Sequence, residues 1–276
     1  MSERAADSLA DSLLDTVRSY GTVAVAYSGG ADSALVLAAA ARALGPDRVL
    51  AVTAVSESLA AGELAPARAF ATELGVEHLT PQTHELRRDG YRANGPDRCY
   101  FCKSEVLDTI AALAGDRGFQ TVATGTNADD ARDPFRPGIA AGRERGIRTP
   151  LLDCGLTKAE VRAVSRSWAL PTWDKPATPC LASRIRHGIT VTPYRLARVD
   201  QAEIAARTAL ASAGIPVTDL RVRDLGDRAR LEVAADQVQA VAALAGVREA
   251  VAAAGFGRGA VEVGEFRSGR LNEEPP

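Results

Sequence analysis

Excess positive charge, long apolar runs and histidine are what this 276-residue chain has little of. Lys and Arg number 33 against 35 Asp and Glu, a formal charge of −2. That balance excludes a polybasic nucleic-acid binder acting by bulk attraction and leaves room only for a local basic groove. The longest apolar stretches, such as Val36–Ala41, are broken by charge well before the roughly 18 residues a membrane span needs. The opening MSERAADSLADSLLD carries acids where a signal peptide needs an apolar core, so the cytoplasm is the expected compartment. With three His and four Cys, metal ligands are scarce. In a reducing compartment the cysteines are expected as metal ligands, nucleophiles or buried thiols rather than disulfides. No internal repeat is visible. What remains, 46% hydrophobic and 25% charged residues, is the balance of a globular protein of one or two domains.

The periodicity gives the fold class. Leu9, Leu13 and Val17 recur every fourth residue and predict a helix over 5–19. Thr22–Tyr27, Arg48–Val55, Val76–Leu79 and Thr121–Thr124 read as strands, and Ala34–Leu44, 63–74 and Ser104–Leu113 as helices between them. Thr157, with Glu160 three residues on, is a capping box opening a helix that runs to about Trp168. Alternating strands and helices imply an α/β fold, a mostly parallel sheet with helices on both faces. After residue 175 the pattern changes. Residues 176–195 have no clean period; then follow a helix at about 196–213, strands at Val217–Val222 and Ala229–Val233, a helix over 235–253 and a last strand near 259–263. The expected organisation is a domain over 1–175 and a smaller α+β C-terminal domain over 176–276, with a disordered Asn-Glu-Glu-Pro-Pro tail.

Ser28-Gly29-Gly30-Ala31-Asp32-Ser33 is the most informative hexapeptide, set between an apolar strand and a helix. The two glycines allow close backbone approach, and the helix start with its free amides favours an anion. Asp32 is out of place beside an anion unless a cation bridges it to phosphate, which assigns it to Mg2+. The chain lacks G-x-x-x-x-G-K-[ST], and no lysine lies in the loop, so this is not a Walker A site. The hexapeptide instead resembles the S-G-G-x-D-S signature of the PP-loop ATP pyrophosphatase superfamily, with its adenine nucleotide alpha hydrolase-like fold. That resemblance implies ATP cut between the α and β phosphates, adenylation of a carbonyl or carboxyl oxygen, and displacement of AMP by a nucleophile. It also implies nucleotide contacts near Ser56 and at Gly125-Thr126-Asn127. Asp129 and Asp130 follow, as a solvated loop or as active-site acids.

Cys99 and Cys102 form a C-x-x-C, open to three readings: a redox pair, half of a zinc site, or two ligands of an iron–sulfur cluster. Cys154 and Cys180 would complete four zinc ligands, but Cys154 follows an apolar strand-like run and reads as a buried small hydrophobe. Cys180 lies among prolines, with Arg184 and Arg186 nearby to favour a thiolate.

The run Pro-Cys180-Leu-Ala-Ser-Arg184-Ile, with Ser28–Ser33, Thr124–Asn127, the Gly-Leu-Thr-Lys helix start and Leu220-Arg-Val-Arg-Asp, resembles the LarE family of sulfur transferases over about residues 8–265. The resemblance implies ATP-dependent conversion of the carboxylates of pyridinium-3,5-biscarboxylic acid mononucleotide to thiocarboxylates, in building the nickel-pincer nucleotide cofactor of lactate racemase. Members either sacrifice one cysteine sulfur or hold a [4Fe–4S] cluster on three cysteines. The C-x-x-C together with Cys180 points to the cluster type, with Cys99, Cys102 and Cys180 as ligands. The family also implies a sulfide donor and a homo-oligomer, with no nucleic-acid or membrane partner.

A small-molecule substrate carrying a phosphate and two carboxylates suits forked guanidiniums. Arg184, and Arg221 with Arg223 on one face of a strand, are the candidates; the resemblance adds Glu203 and Glu232, to orient these arginines or to bind metal. A solvated edge is the plain alternative for a strand arginine. Trp173 is a candidate to stack on the pyridinium, or it packs in the core. Three other functions fit the phosphate loop. A tRNA thiolase should show a basic surface or an appended zinc ribbon. An ammonia-using synthetase needs no cysteine constellation. A nucleotide-binding sensor would bind ATP without releasing pyrophosphate.

Overall fold

Val23–Ala26 (β1), Val49–Val52 (β2), Glu77–Leu79 (β3) and Thr121–Thr124 (β4) are short, and β1 and β2 are wholly apolar, as strands covered on both faces must be. In the computed structural model, which describes residues 3–132, 136–257 and 261–267, they form a parallel sheet in the order β3-β2-β1-β4. The helices are α1 (Glu3–Arg18), α2 (Ala31–Leu44), α3 (Leu64–Glu73), α4 (Asp89–Ala93), α5 (Arg98–Asp116) and α6 (Ala128–Arg132). They continue with α7 (Pro137–Glu144), α8 (Pro150–Asp153), α9 (Lys158–Ser167), α10 (Pro193–Ser212), α11 (Val238–Ala243) and α12 (Ala245–Val251).

The chain divides into two compact units. One comprises Met1–Ser56, Gly62–Glu85 and Cys99–Ala177; the other takes Glu57–Ala61, Leu86–Arg98 and Thr178–Pro276. The second unit thus includes two short segments that precede residue 175. Nothing local marks them, because membership is set by contacts distant in sequence.

In the first unit the strand period of two divides the sheet between two cores. Val23, Val25, Val49 and Ala51 pack with Leu13 and Val17 of α1, Leu35 and Leu37 of α2, and Val161 and Val164 of α9. Ala24, Leu50 and Val52 face the other way, onto Ile110 and Ala114 of α5. Helices therefore cover both faces, as the alternation required. The capping box forms: Glu160 N–H donates to the Thr157 hydroxyl, and Thr157 N–H donates to the Glu160 carboxylate at 2.8 Å. Two local expectations are corrected. Pro150-Leu-Leu-Asp is a short helix, not strand-like, because Pro150 suits a first helical turn. The helix expected from Ser104 begins at Arg98, which puts the C-x-x-C on a helix.

The second unit has β5 (Leu220–Asp224) antiparallel to β6 (Ala229–Val233), and β6 parallel to β7 (Val261–Glu265). Helix α10 packs on β5 and α12. The single helix expected over 235–253 is broken at Leu244, whose φ −87 and ψ 96 are not helical. The break has a packing reason. Val241, Val247 and Val251 are all buried, and an unbroken helix would set Val241 about 120° around the axis from Val247. The expected strand at 217–222 lies at 220–224, and the last strand at 261–265. Residues 259–260 and the C-terminal tail lie outside the described residues. Among the described residues no single helix is long and apolar enough to cross a membrane.

Candidate functional site

The strand order reverses at β1, flanked by β2 on one side and β4 on the other, and such switch points leave a crevice beyond the strand ends. The Ser28–Ser33 loop leaves β1 there. Its base is fixed from behind. Tyr27 N–H donates to Val52 O at 2.9 Å, and the Thr53 hydroxyl donates to Tyr27 O at 2.6 Å. That leaves Thr53 Oγ1 to accept from His78 Nε2 at 2.8 Å, which assigns the His78 proton to Nε2. His78 Nδ1 is buried with no hydrogen-bond partner, and burial, then Arg68, push the imidazole below its usual range.

Within the loop, Gly29 adopts φ +75 and Gly30 precedes α2 without a side-chain cap, so the first helical amides keep their donors for a ligand. Helix α2 starts at Ala31, three residues earlier than expected, and carries Asp32 and Ser33 in its first turn. Ser33 ties the loop to itself. Its hydroxyl accepts from Ser28 N–H at 3.2 Å and donates to Gly30 O at 3.1 Å. Gly125, after β4, closes the back of the site. A Cβ there would lie 2.6 Å from Ser33 N and 2.8 Å from Asp32 C, so only glycine fits. Ser56 follows Val55, whose backbone pairs with Pro81 and Thr83 beyond the end of β2.

Sequence reasoning missed the cations that converge on this loop. The chain has only three lysines (Lys103, Lys158 and Lys175), and two of them reach the loop. Lys158, at the start of α9, forms an ion pair with Asp32. Lys175 donates to Gly29 O at 2.9 Å and to Glu63 Oε2 at 2.8 Å. Asn127 Oδ1 accepts from the amides of Asp129 and Asp130 at the start of α6, while its Nδ2 lies 3.4 Å from Asp32 Oδ1. Asp129 in turn accepts from Lys158 N–H at 2.8 Å, so the two acids build the turn that seats Lys158. A capping box opening α9 was the one local signal that could have drawn attention to Lys158.

Cys99 and Cys102 lie one turn apart on α5, the first exposed and the second half-buried. Burial holds the neighbouring Lys103 ammonium below its usual range, with Cys102 and Asp130 opposing. Cys154 is half-buried, packs against the main core and has its Sγ 3.2 Å from Thr16 Oγ1. In the second unit half-buried Cys180 precedes a 3-10 turn, Leu181–Arg184. Its carbonyl accepts from Ser183 N–H at 2.9 Å and Ser183 Oγ at 2.7 Å. Among the described residues, no three His, Cys, Asp or Glu side chains are grouped to hold a metal ion.

Arg184, fully buried, is committed to the protein. Nε and Nη2 fork onto Glu203 at 2.9 and 3.3 Å, and Nη1 donates to Pro179 O and to Cys180 O at 3.2 Å. Its position is therefore that of a brace for the cysteine turn. Arg223 donates to Glu232 at 2.8 Å and to Ser183 O at 3.1 Å. Arg221 is pushed below its usual range first by burial, then by Arg184, with Glu203 opposing and Arg223 and Arg207 adding to the depression. Both strand arginines are buried, which corrects the solvated-edge alternative. Arg184, Arg221 and Arg223 thus bring three buried guanidiniums together with Glu203 and Glu232 in the second unit. Arg186 Nε is buried with no hydrogen-bond partner. Trp173 gives its ring face to Arg166, 5.0 Å from its centroid.

The sequence profile of the NAD synthase family matches residues 5–89, which include the Ser28–Ser33 loop. An uncharacterized protein of Synechocystis is 46% identical over 215 residues, 78% of this chain and 77% of its own length. The pyridinium-3,5-bisthiocarboxylic acid mononucleotide synthase of Lactiplantibacillus plantarum is 33% identical over 262 residues, 95% of this chain and 92% of its own. Argininosuccinate synthase of Halobacterium salinarum is 30% identical over 148 residues, 50% of this chain and 37% of that protein.

Proposed function

The chain belongs to the family of pyridinium-3,5-bisthiocarboxylic acid mononucleotide synthase, and from that premise we propose that it is an ATP-dependent sulfurtransferase that makes this bisthiocarboxylate from the biscarboxylate nucleotide. The product would serve the nickel-pincer nucleotide cofactor of lactate racemase. The observation that carries the reading is the Ser28–Ser33 loop at the switch point, backed by Gly125, in a chain that matches the synthase almost end to end.

A carboxylate is a poor electrophile. Attack of its oxygen on the α-phosphorus of ATP releases pyrophosphate and leaves an acyl adenylate, whose AMP is a good leaving group. A sulfur nucleophile then adds to that carbon and expels AMP, provided it is held within about 3–3.5 Å. In this reading Ser28, Gly29, Gly30 and Ser33 bind the phosphates through amides and hydroxyls. Ser56 and Gly125 line the rest of the nucleotide site. Asp32, paired with Lys158, would offer a hard carboxylate oxygen to Mg2+, which would neutralise phosphate charge. Arg221 and Arg223 receive the anionic substrate, and Arg184 with Glu203 holds the turn that presents Cys180.

Thiolates are the donors iron–sulfur clusters take, and Cys99, Cys102 and Cys180 lie outside any disulfide. A [4Fe–4S] cluster bound by these three would supply an iron without a protein ligand, able to carry sulfide from an external donor. Cytoplasmic location and a homo-oligomeric state belong to the same reading.

The test uses anaerobically prepared full-length protein with ATP and the biscarboxylate nucleotide. Cys180→Ser should still release pyrophosphate but form no thiocarboxylate. Cys99→Ser and Cys102→Ser should lose bound iron and multiple turnover. Multiple turnover without iron would overturn the cluster; loss of pyrophosphate release in Cys180→Ser would overturn the division of labour.

A further inference from the structure

An anion-binding loop must turn its amides toward the ligand and its carbonyls away, because a carbonyl oxygen facing phosphate repels it. Gly29 is where this is decided. Its φ of +75 is open to glycine at no steric cost, and a Cβ there would sit 3.3 Å from Ala67 Cβ in the first turns of α3. Its carbonyl is taken by Lys175 Nζ at 2.9 Å, and the same ammonium is held at 2.8 Å by Glu63, the residue just before α3. The two side chains are 23% and 20% exposed, so the pair is shielded enough for its hydrogen bonds to be strong. All three residues belong to the first unit.

Lysine is rare here, three residues against thirty arginines. A compact ammonium can serve one carbonyl and one carboxylate at once, which the planar guanidinium fork does less well. Nothing in the hexapeptide itself requires Lys175, which lies 146 positions away from Gly29 in sequence.

We propose that Lys175 is a positioning residue for ATP: with Glu63 as its anchor it clips back the Gly29 carbonyl, so that the loop presents only donors to the triphosphate. The proposal rests on the ATP-dependent reading above. Without Lys175 two things change together. The Gly29 carbonyl loses its charge-assisted partner, and the Glu63 carboxylate stands uncompensated beside a site meant for anions. Both act on phosphate and neither acts on the adenine or ribose.

The experiment is calorimetric titration of the full-length protein with three probes: MgATP, magnesium pyrophosphate and adenosine. Lys175→Met, close to lysine in length, should weaken MgATP and pyrophosphate by about tenfold or more while adenosine binds as to the wild type. Lys175→Met combined with Glu63→Gln should recover part of the loss, because the uncompensated carboxylate is gone. In turnover the KM for ATP should rise more than kcat falls. Lys175→Met binding MgATP within about twofold of the wild type would overturn the clip. So would an equal loss of adenosine, which would mean a general structural defect. Failure of the wild type to bind MgATP would overturn the ATP-dependent reading itself, and the clip with it.

Discussion

The two units handle negative charge in opposite ways. In the first, the candidate phosphate site is mostly backbone: glycine turns, serine hydroxyls and unbonded helix amides, with the cations Lys158 and Lys175 brought in from beyond residue 150 and left partly exposed. In the second, charge is carried mostly by buried pairs, Arg184 with Glu203, Arg223 with Glu232 and Arg198 with Asp224, which also takes a partly exposed Arg195. The difference teaches what each charge is for. A cation set beside a ligand-binding loop, whether it exchanges partners or holds the loop's backbone, stays partly in water. A cation built into the packed interior is desolvated and held by a carboxylate.

The sharpest way to break this contrast is Asp224. Its carboxylate is fully buried and accepts from Arg195, Arg198 and the Gly226 amide. Asp224→Ala leaves two guanidiniums without their anion and should cost about 3–5 kcal/mol in urea denaturation, the largest loss expected of any single substitution here. In the first unit, Gly125→Ala drives a methyl into the Ser33 amide and should cost about 1–3 kcal/mol. Its main effect should be on ATP: because the clash falls on the loop backbone, the KM for ATP should rise well beyond what the stability loss suggests.

These same residues show how much was legible. The Ser28–Ser33 loop was readable because its chemistry is local: strand, glycine turn and helix start are contiguous, and the apolar period of two already placed helices on both sheet faces. Gly125 was found by resemblance, and its reason, contact with Ser33, appears only once β4 lies beside β1. Lys158, Lys175 and Glu63 were not legible, since a lone lysine in a loop or at a helix start looks like solvated surface until folding brings it to Gly29 or Asp32. In the second unit residue type was readable and environment was not. Arg221 and Arg223 sit on one strand face as the period required, but their burial depends on α10 and β6. The break at Leu244 was invisible because an alanine-rich stretch is good helix everywhere, and only the burial of Val241 and Val247 forces the turn.

A pH effect sharpens the account of the loop base. The folded His78 resists protonation, while in the unfolded chain its pKa is near 6.5. As pH falls below about 6.5 the unfolded state takes up a proton that the folded state refuses, so stability should fall there and be regained above it. His78→Gln should flatten that part of the curve in denaturation measured from pH 5 to 8. The smallest effect is expected at the rim. Arg228 pairs with Glu262 at 2.9 Å, but both are about half exposed, and Arg228→Ala should change stability by about 0.5 kcal/mol or less.

The most direct measurement is the mass of the nucleotide product after the protein is incubated with ATP and pyridinium-3,5-biscarboxylic acid mononucleotide under anaerobic conditions. The predicted result is replacement of a carboxylate oxygen by sulfur, with AMP and pyrophosphate formed in step with each sulfur gained. An unchanged nucleotide, or one that gains nitrogen from ammonia, would contradict it.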